Sequence, residues 1–301
     1  MQQTFDERNR DLMVSINGEL RHRDEAGVSP FDSVVQGGDA VWEGLRLYDG
    51  RIFRLTERLA RLRRSARALA FAEIPGDDEI TAQIRATLAA NAMRDDVHIR
   101  LTLTRGVKIT SGMDPRLNRA GPTLIVLAEF KSPVYDDSGI SLVTSSVRRH
   151  RADSLDPKIH HNNLLTSILA KIEANVAGAD DALMLDDAGF IAETNATHVF
   201  HVADGVLRTS TTRACPEGIT RAAVLELCAD AGIPTEVGDF STTQLYTADE
   251  AFVTGTMGGL TPVVSVDGRT IGTGVRGGVT ARLVEAYADL TARSGTVVAE
   301  L

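Results

Sequence analysis

The chain is short of sulfur, of tryptophan and of surplus positive charge. Its 301 residues hold two cysteines, Cys215 and Cys228, and one tryptophan, Trp42. The cysteines show no metal-ligand spacing and point to a reducing, cytoplasmic compartment. Basic residues are outnumbered 32 to 41, for a net charge of −9. That balance argues against a general nucleic-acid binder, although a local basic cluster stays open. No apolar run is long enough to cross a bilayer, and the opening MQQTFDERNR lacks the apolar core of a signal peptide, so a soluble intracellular protein is expected. Internal repeats and low-complexity segments are also missing. What is there, 43% hydrophobic and 24% charged residues, suffices for a globular protein of one or two domains with a real core.

Hydrophobic spacing lays out the elements. Leu12–Ile16, the Asn17-Gly18 turn and the residues from Glu19 read as a hairpin; Val41–Tyr48, Asp49-Gly50 and Arg51–Arg54 read as a second. Thr56 is placed to cap a helix whose apolar positions are Leu55, Leu59, Leu62, Ala66 and Leu69, with five arginines on its other faces. A helix over Asp77–Ala92 and strands over Val97–Arg105 and Thr123–Leu127 follow. The polar, proline-bearing run 131–137 has the composition of a linker, dividing a domain over 1–130 from one over 138–301.

The stretch from Asp156 to Phe200 carries the most chemistry. Leu155–His160 reads as a short β-like entry, and an amphipathic helix follows from about Asn163, with Leu164, Ile168, Leu169 and Ile172 at helical spacing and Gly178 as its stop. Strands over Ala182–Leu185, Phe190–Glu193 and His198–Val202 come next, so Glu193 sits where two strands meet. Further on, Glu217-Gly218-Ile219-Thr220-Arg221 opens a helix running to about Ala231, and Gly255-Thr256-Met257-Gly258-Gly259 follows a strand at Ala251–Val253. Both offer exposed amides that attract an anion, and a threonine hydroxyl adds a donor; on spacing alone a helix cap and a glycine turn are the plainer readings.

Taken together and in order, GGDAVWEGLRLYDGRIF at 37–53, RLARLRRSA at 58–66, EGITRAAV at 217–224 and ADEAFVTGTMGGLTPVVSVDGR at 248–269 resemble the fold-type IV enzymes that use pyridoxal phosphate. These include branched-chain and D-amino-acid aminotransferases. The likeness covers nearly the whole chain. It implies a mixed α/β (α+β) two-domain fold, with a small N-terminal α/β domain and a larger, β-barrel-like C-terminal domain with helices. It also implies a homodimer and transfer of an amino group between an amino acid or amine and a 2-keto acid.

By the same resemblance, Arg61 grips the phosphate of pyridoxal 5′-phosphate with Ile219, Thr220 and Thr256, and Glu193 pairs with its ring nitrogen. Bidentate guanidinium contact would supply charge and orientation together. Without the resemblance, Glu193 is a surface or structural carboxylate. Trp42 and Met257 fall at the substrate pocket, as do His98 and Arg100 in a run that relatives fill with tyrosine-isoleucine-arginine. A core tryptophan and a cross-strand ion pair remain the plainer meanings of Trp42 and Arg100.

One departure matters most. Where relatives carry the lysine that forms the Schiff base with the cofactor, the ungapped alignment places His160; Lys158 lies two residues earlier and serves only with a two-residue insertion. In a strand the two would face one way about 7 Å apart, so both readings stay open. Imidazole shuttles protons near neutral pH but does not form such an imine. If His160 faces the cofactor, the alternatives are an enzyme without the lysine using pyridoxal or pyridoxamine phosphate, a cofactor-independent enzyme with His160 as general base, or a non-catalytic binding homologue. His160, His161 and His198 raise a metal site, but neighbouring strand residues diverge and none is expected.

Overall fold

The computed structural model describes residues 4–135 and 137–299. The first three residues of the polar opening and Asp136 of the 131–137 run lie outside them. Contacts divide the chain into two units. Among the described residues one comprises 4–132, 159–163 and 291–299; the other comprises 133–135, 137–158 and 164–290. The N-terminal unit therefore recruits a short central piece and residues 291–299.

In the N-terminal unit the chain forms β1 (Met13–Ile16), β2 (Glu19–His22), α1 (Ser33–Gly37), β3 (Ala40–Tyr48), β4 (Arg51–Ile52), α2 (Leu55–Ala68), α3 (Asp77–Ala90), β5 (Val97–Thr104) and β6 (Thr123–Phe130). The turns fit their residues: Asn17-Gly18 and Asp49-Gly50 take positive φ at both positions (52° and 82°, 43° and 74°), the pairing that hairpins of this twist require. The long β3 and β5 pair antiparallel over their whole length, and β6 continues the ladder. Pleating sends Leu45, Leu47, Ile99 and Leu101 to the face covered by Leu59 and Leu62 of α2 and Ile80 and Ile84 of α3, all buried. Each such leucine or isoleucine contributes about 1.5–3 kcal/mol. Thr56 does not cap α2. The helix begins one residue earlier behind Arg54, which sits in the left-handed region at φ 53° and makes no side-chain cap bond.

The C-terminal unit runs β7 (Ile140–Thr144), α4 (Leu165–Ala177), β8 (Asp181–Leu185), β9 (Ile191–Thr194), β10 (His198–Ala203), β11 (Val206–Ser210), α5 (Ile219–Asp230), β12 (Thr235–Gly238), α6 (Thr242–Tyr246), β13 (Glu250–Gly255), β14 (Gly259–Val266), β15 (Arg269–Thr270) and most of α7 (Gly278–Arg293). Its sheet is ordered β12-β11-β10-β13-β14-β7-β8-β9, with β15 on β14. The sheet curls until its far edge returns to the other side, where Ser210 Oγ on β11 donates to the Ala192 carbonyl on β9 at 2.5 Å. The final strand, β16 (Thr296–Val297), belongs to the N-terminal unit and pairs with β4.

Two expectations are corrected. Leu155–His160 is not a strand but a succession of turns and bends; β-like bonding starts at its last residue, where Trp42 N–H meets the His160 carbonyl at 3.0 Å and Val41 bridges His161. The two-residue alternation that would have aimed Lys158 and His160 the same way is therefore absent. Helix α4 forms and stops at Gly178 in the left-handed region, but its leucines and isoleucines do not make the buried face. Ala170 and Ala174 are buried against Ala182 and Met184 of β8, whereas Leu165, Ile168, Leu169, Ile172 and Val176 are 51–85% exposed. Small residues let the helix lie close to the sheet, which leaves the larger apolar stripe outward.

Candidate active site

In the N-terminal unit one connected cluster gathers four of the residues singled out above. Glu43 on β3 is fully buried, and a carboxylate there requires a partner. Arg61 on α2 supplies it side-on, with Nε 2.7 Å from Oε1 and Nη2 2.8 Å from Oε2. His160 lies next to this pair. Its Nδ1 is 2.5 Å from the Trp42 carbonyl and 3.7 Å from Glu43 Oε1, its backbone N–H donates to Ser65 Oγ at 3.0 Å, and its ring stacks on the Trp42 indole with centroids 4.4 Å apart. A carbonyl only accepts, so Nδ1 carries the proton and Nε2 the lone pair. Burial, then the Arg61 charge, hold the imidazole well below its usual range, hence neutral.

The indole is fixed in turn. Trp42 Nε1 donates to the His161 carbonyl at 3.1 Å, and the Arg100 guanidinium lies 4.0 Å from the ring while donating to Asn162 Oδ1 at 2.6 Å. Burial lowers the Arg100 pKa. His98 alternates with Arg100 along β5 and lies beside Gly44, where a Cβ would stand 3.3 Å from its Nε2. Burial above all, with nearby cations, lowers His98 to about 3. Lys158 is exposed, and its backbone N–H donates to Asp156 Oδ1 at 2.9 Å. The chain has four lysines, at 108, 131, 158 and 171. Lys108 and Lys171 donate to the backbone carbonyls of Gly112 and Asp180, and no lysine takes part in the bonds and stacks of the Trp42–His160 cluster among the described residues.

In the C-terminal unit Glu193 is buried on β9 with Oε1 2.5 Å from Arg149 Nη2. Cys215 lies near them, its thiol raised by burial first and by the Glu193 charge second. The start of α5 is open. Its N-cap, Gly218, makes no side-chain cap bond, and the first intrahelical bond is Ala222 N–H to the Gly218 carbonyl at 2.9 Å, which leaves the amides of Ile219, Thr220 and Arg221 ahead of it. A Cβ on residue 218 would stand 2.2 Å from His198 Nε2, so no capping side chain fits there. Arg221, buried and bonded through Nη2 to the Ser210 carbonyl at 2.8 Å, has an Nε with no hydrogen-bond partner among the described residues. These features suit an anion. Thr256 and Met257, half-buried, lie in the turn after β13, whose Thr254 pairs with His198. That turn is packed tightly, since a Cβ on Gly255 would meet Thr197 Cγ2 at 2.9 Å and one on Gly258 would meet Tyr135 Cδ2 at 2.8 Å.

Glu43, Ser65, Arg149 and Arg221 escaped the sequence reading as site residues. Only Glu43 left a signal, a carboxylate between the apolar pairs Val41-Trp42 and Leu45/Leu47 of the strand. Among the described residues no group of three or more histidine, cysteine or acidic side chains could hold a metal ion.

Known proteins share this architecture. The profile of the family described as amino-transferase class IV matches residues 40–266. The chain belongs to the class IV aminotransferase family. Branched-chain-amino-acid aminotransferase-like protein 2 of Arabidopsis thaliana is 54% identical over 96% of this chain, which spans about half (52%) of that relative's length. A putative branched-chain-amino-acid aminotransferase of Methanocaldococcus jannaschii is 39% identical, with 95% of this chain and 99% of the relative covered. Of solved structures, the T.th. branched-chain amino acid aminotransferase complexed with N-(5′-phosphopyridoxyl)-L-glutamate superposes with a TM-score of 0.87 at 35% identity, covering 94% of both chains. The same enzyme with pyridoxamine 5′-phosphate gives 0.86 at 34%, covering 94% of this chain and 95% of that one. The fold is thus that of fold-type IV enzymes, with its mixed α/β character and curled C-terminal sheet.

Proposed function

We propose that this class IV aminotransferase moves an amino group between an amino acid or amine and a 2-keto acid, with pyridoxal 5′-phosphate, in turn pyridoxamine 5′-phosphate, as cofactor. The observation that carries this reading is the open start of α5, where Gly218 admits no cap and the buried Arg221 has an unpartnered Nε, in a chain that matches this family over 40–266. Thr220, with the amides of Ile219 and the Thr256 turn, would hold the phosphate, and Glu193 would meet the ring nitrogen, while Arg61 stays bonded to Glu43. When bound, the cofactor supplies an electron sink for the substrate's α-carbon.

The chain's own residues do the rest. His160, neutral and with Nδ1–H committed to the Trp42 carbonyl, takes up and returns the substrate's α-proton at Nε2. This role goes to His160 rather than Lys158 because Lys158 is exposed. Arg100 gives the substrate carboxylate a cation, braced by Trp42 and Asn162, while His98, kept neutral, Trp42 and Met257 shape the side-chain pocket. The outward stripe of α4 joins a second copy of the chain as a homodimer. Among the described residues no helix is long and apolar enough to cross a membrane, and the two free cysteines support a cytoplasmic location.

Calorimetry with pyridoxamine 5′-phosphate, followed by amino transfer from a panel of amino acids to 2-oxoglutarate, tests the proposal. Stoichiometric binding and turnover are expected, and absence of binding would refute it. Borohydride treatment with pyridoxal 5′-phosphate tests the assignment of His160 separately: attachment at Lys158 would remove His160 from its role and leave the reaction standing.

A further inference from the structure

Arg149 reaches Glu193 from the segment after β7, and it does so from a braced position. Its backbone N–H donates to the Leu185 carbonyl at 2.9 Å, Nη1 donates to Ser167 Oγ on α4 at 3.2 Å, and Nε points to the Ala214 carbonyl at 3.4 Å. Nη2 then stands 2.5 Å from Glu193 Oε1, with 11% and 7% of the two side chains exposed. One bond thus fixes the backbone of Arg149, and two more, to Ser167 and Ala214, fix its guanidinium against one buried carboxylate. Cys215, after β11, and Arg221 on α5, whose charge reaches that thiol, are titratable and charged groups at this place.

A carboxylate buried alone takes up a proton rather than keep its charge. One paired with a braced guanidinium stays ionised and keeps one orientation, but shares its charge and becomes a weaker base. We propose that Arg149 is a positioning residue: it holds the Glu193 carboxylate ionised and oriented toward the cofactor's ring nitrogen, and by sharing its charge it limits how tightly that nitrogen keeps its proton. The inference rests on the cofactor reading given above. Removing the guanidinium takes a positive charge from beside the proton that Glu193 and the ring nitrogen share, so the pair as a whole holds that proton more tightly. At an effective dielectric of about 20, one charge several ångströms away moves the midpoint by about one pH unit or more, a tenfold change.

The test is nitrogen NMR of pyridoxamine 5′-phosphate labelled at the ring nitrogen, bound to the full chain and titrated with pH. In Arg149→Met the midpoint for loss of the ring proton is expected to rise by about one unit, and Arg149→Lys is expected to keep it near the parent value. Ser167→Ala, which removes only a brace, provides a second variant should Arg149→Met fail to fold, and a rise of about half a unit is expected from one weakened hydrogen bond. Unchanged midpoints in the folded variants with cofactor bound would overturn the role of Arg149 and leave the cofactor reading intact. Failure of the parent chain to bind the labelled cofactor would overturn both.

Discussion

Glu43→Ala should destabilise the cofactor-free protein severely, and the size of the loss follows from the ion pair. Glu43 is 0% exposed and Arg61 6%, with bonds of 2.7 and 2.8 Å. Two unit charges about 4 Å apart at an effective dielectric of about 20 attract by about 4 kcal/mol. Truncating one partner also leaves a guanidinium out of water without its counter-charge, and breaking such pairs costs about 3–5 kcal/mol. The folding constant of the N-terminal unit should therefore drop by about two to four powers of ten. Replacing both partners, Glu43→Leu with Arg61→Met, should recover most of the loss, because no buried charge is then left alone. Urea unfolding of the parent, the single variants and the double variant checks this, with tryptophan fluorescence reporting on the N-terminal unit through Trp42. A Glu43→Ala variant within about 1 kcal/mol of the parent, the worth of an exposed pair, would refute the reasoning. So would a double variant no better than the single one.

Acid should weaken the fold well before its carboxylates titrate. His98 and His201 have folded values of about 3 and about 4, both lowered chiefly by burial, against 6.5. The unfolded chain takes up these protons first, so their contribution is whole above pH 6.5 and is lost as pH falls toward 4 and 3. His201 is 2% exposed with an unpartnered buried Nε2, so His201→Leu should flatten the pH dependence of chemical unfolding by about 2–3 kcal/mol between pH 7 and 4. Ile172→Glu with Leu169→Glu, both residues 51% exposed on α4, should yield monomers by sedimentation while leaving the circular dichroism of the chain unchanged. Gly218→Ala should lower the melting temperature through a cost of about 1–3 kcal/mol, and a compensating His198→Ala should restore it if the 2.2 Å approach to His198 is the cause.

Much of the fold was legible because its signals are local. The hairpin turns at Asn17-Gly18 and Asp49-Gly50, the helical spacing of Leu59 and Leu62, and the stop at Gly178 are each decided within a few residues. The start of α2 was displaced because Arg54 adopts a left-handed conformation that no propensity favours. On α4 the spacing gave the helix but not its inward face, since alanines pack against β8 where close approach counts for more than side-chain size. The candidate residues were named by resemblance, whereas their partners, Glu43 for Arg61 and Arg149 for Glu193, lie 18 and 44 positions away and emerge only from the folded chain. The same is true of His160. Its sequence position raised the question of the missing amine, and only the bond to the Trp42 carbonyl gave its tautomer.

Strand β16 gives the chain an awkward timetable. It closes onto β4, Val298 enters the N-terminal core, and the Val298 and Ala299 amides bond the Gly50 carbonyl. The edge strand β4 must wait until the residues of the C-terminal unit, which precede β16 in the chain, have been synthesised before it is covered. Until then the hairpin around Gly50 presents unpaired backbone, an invitation to aggregate that a chaperone or rapid completion has to counter.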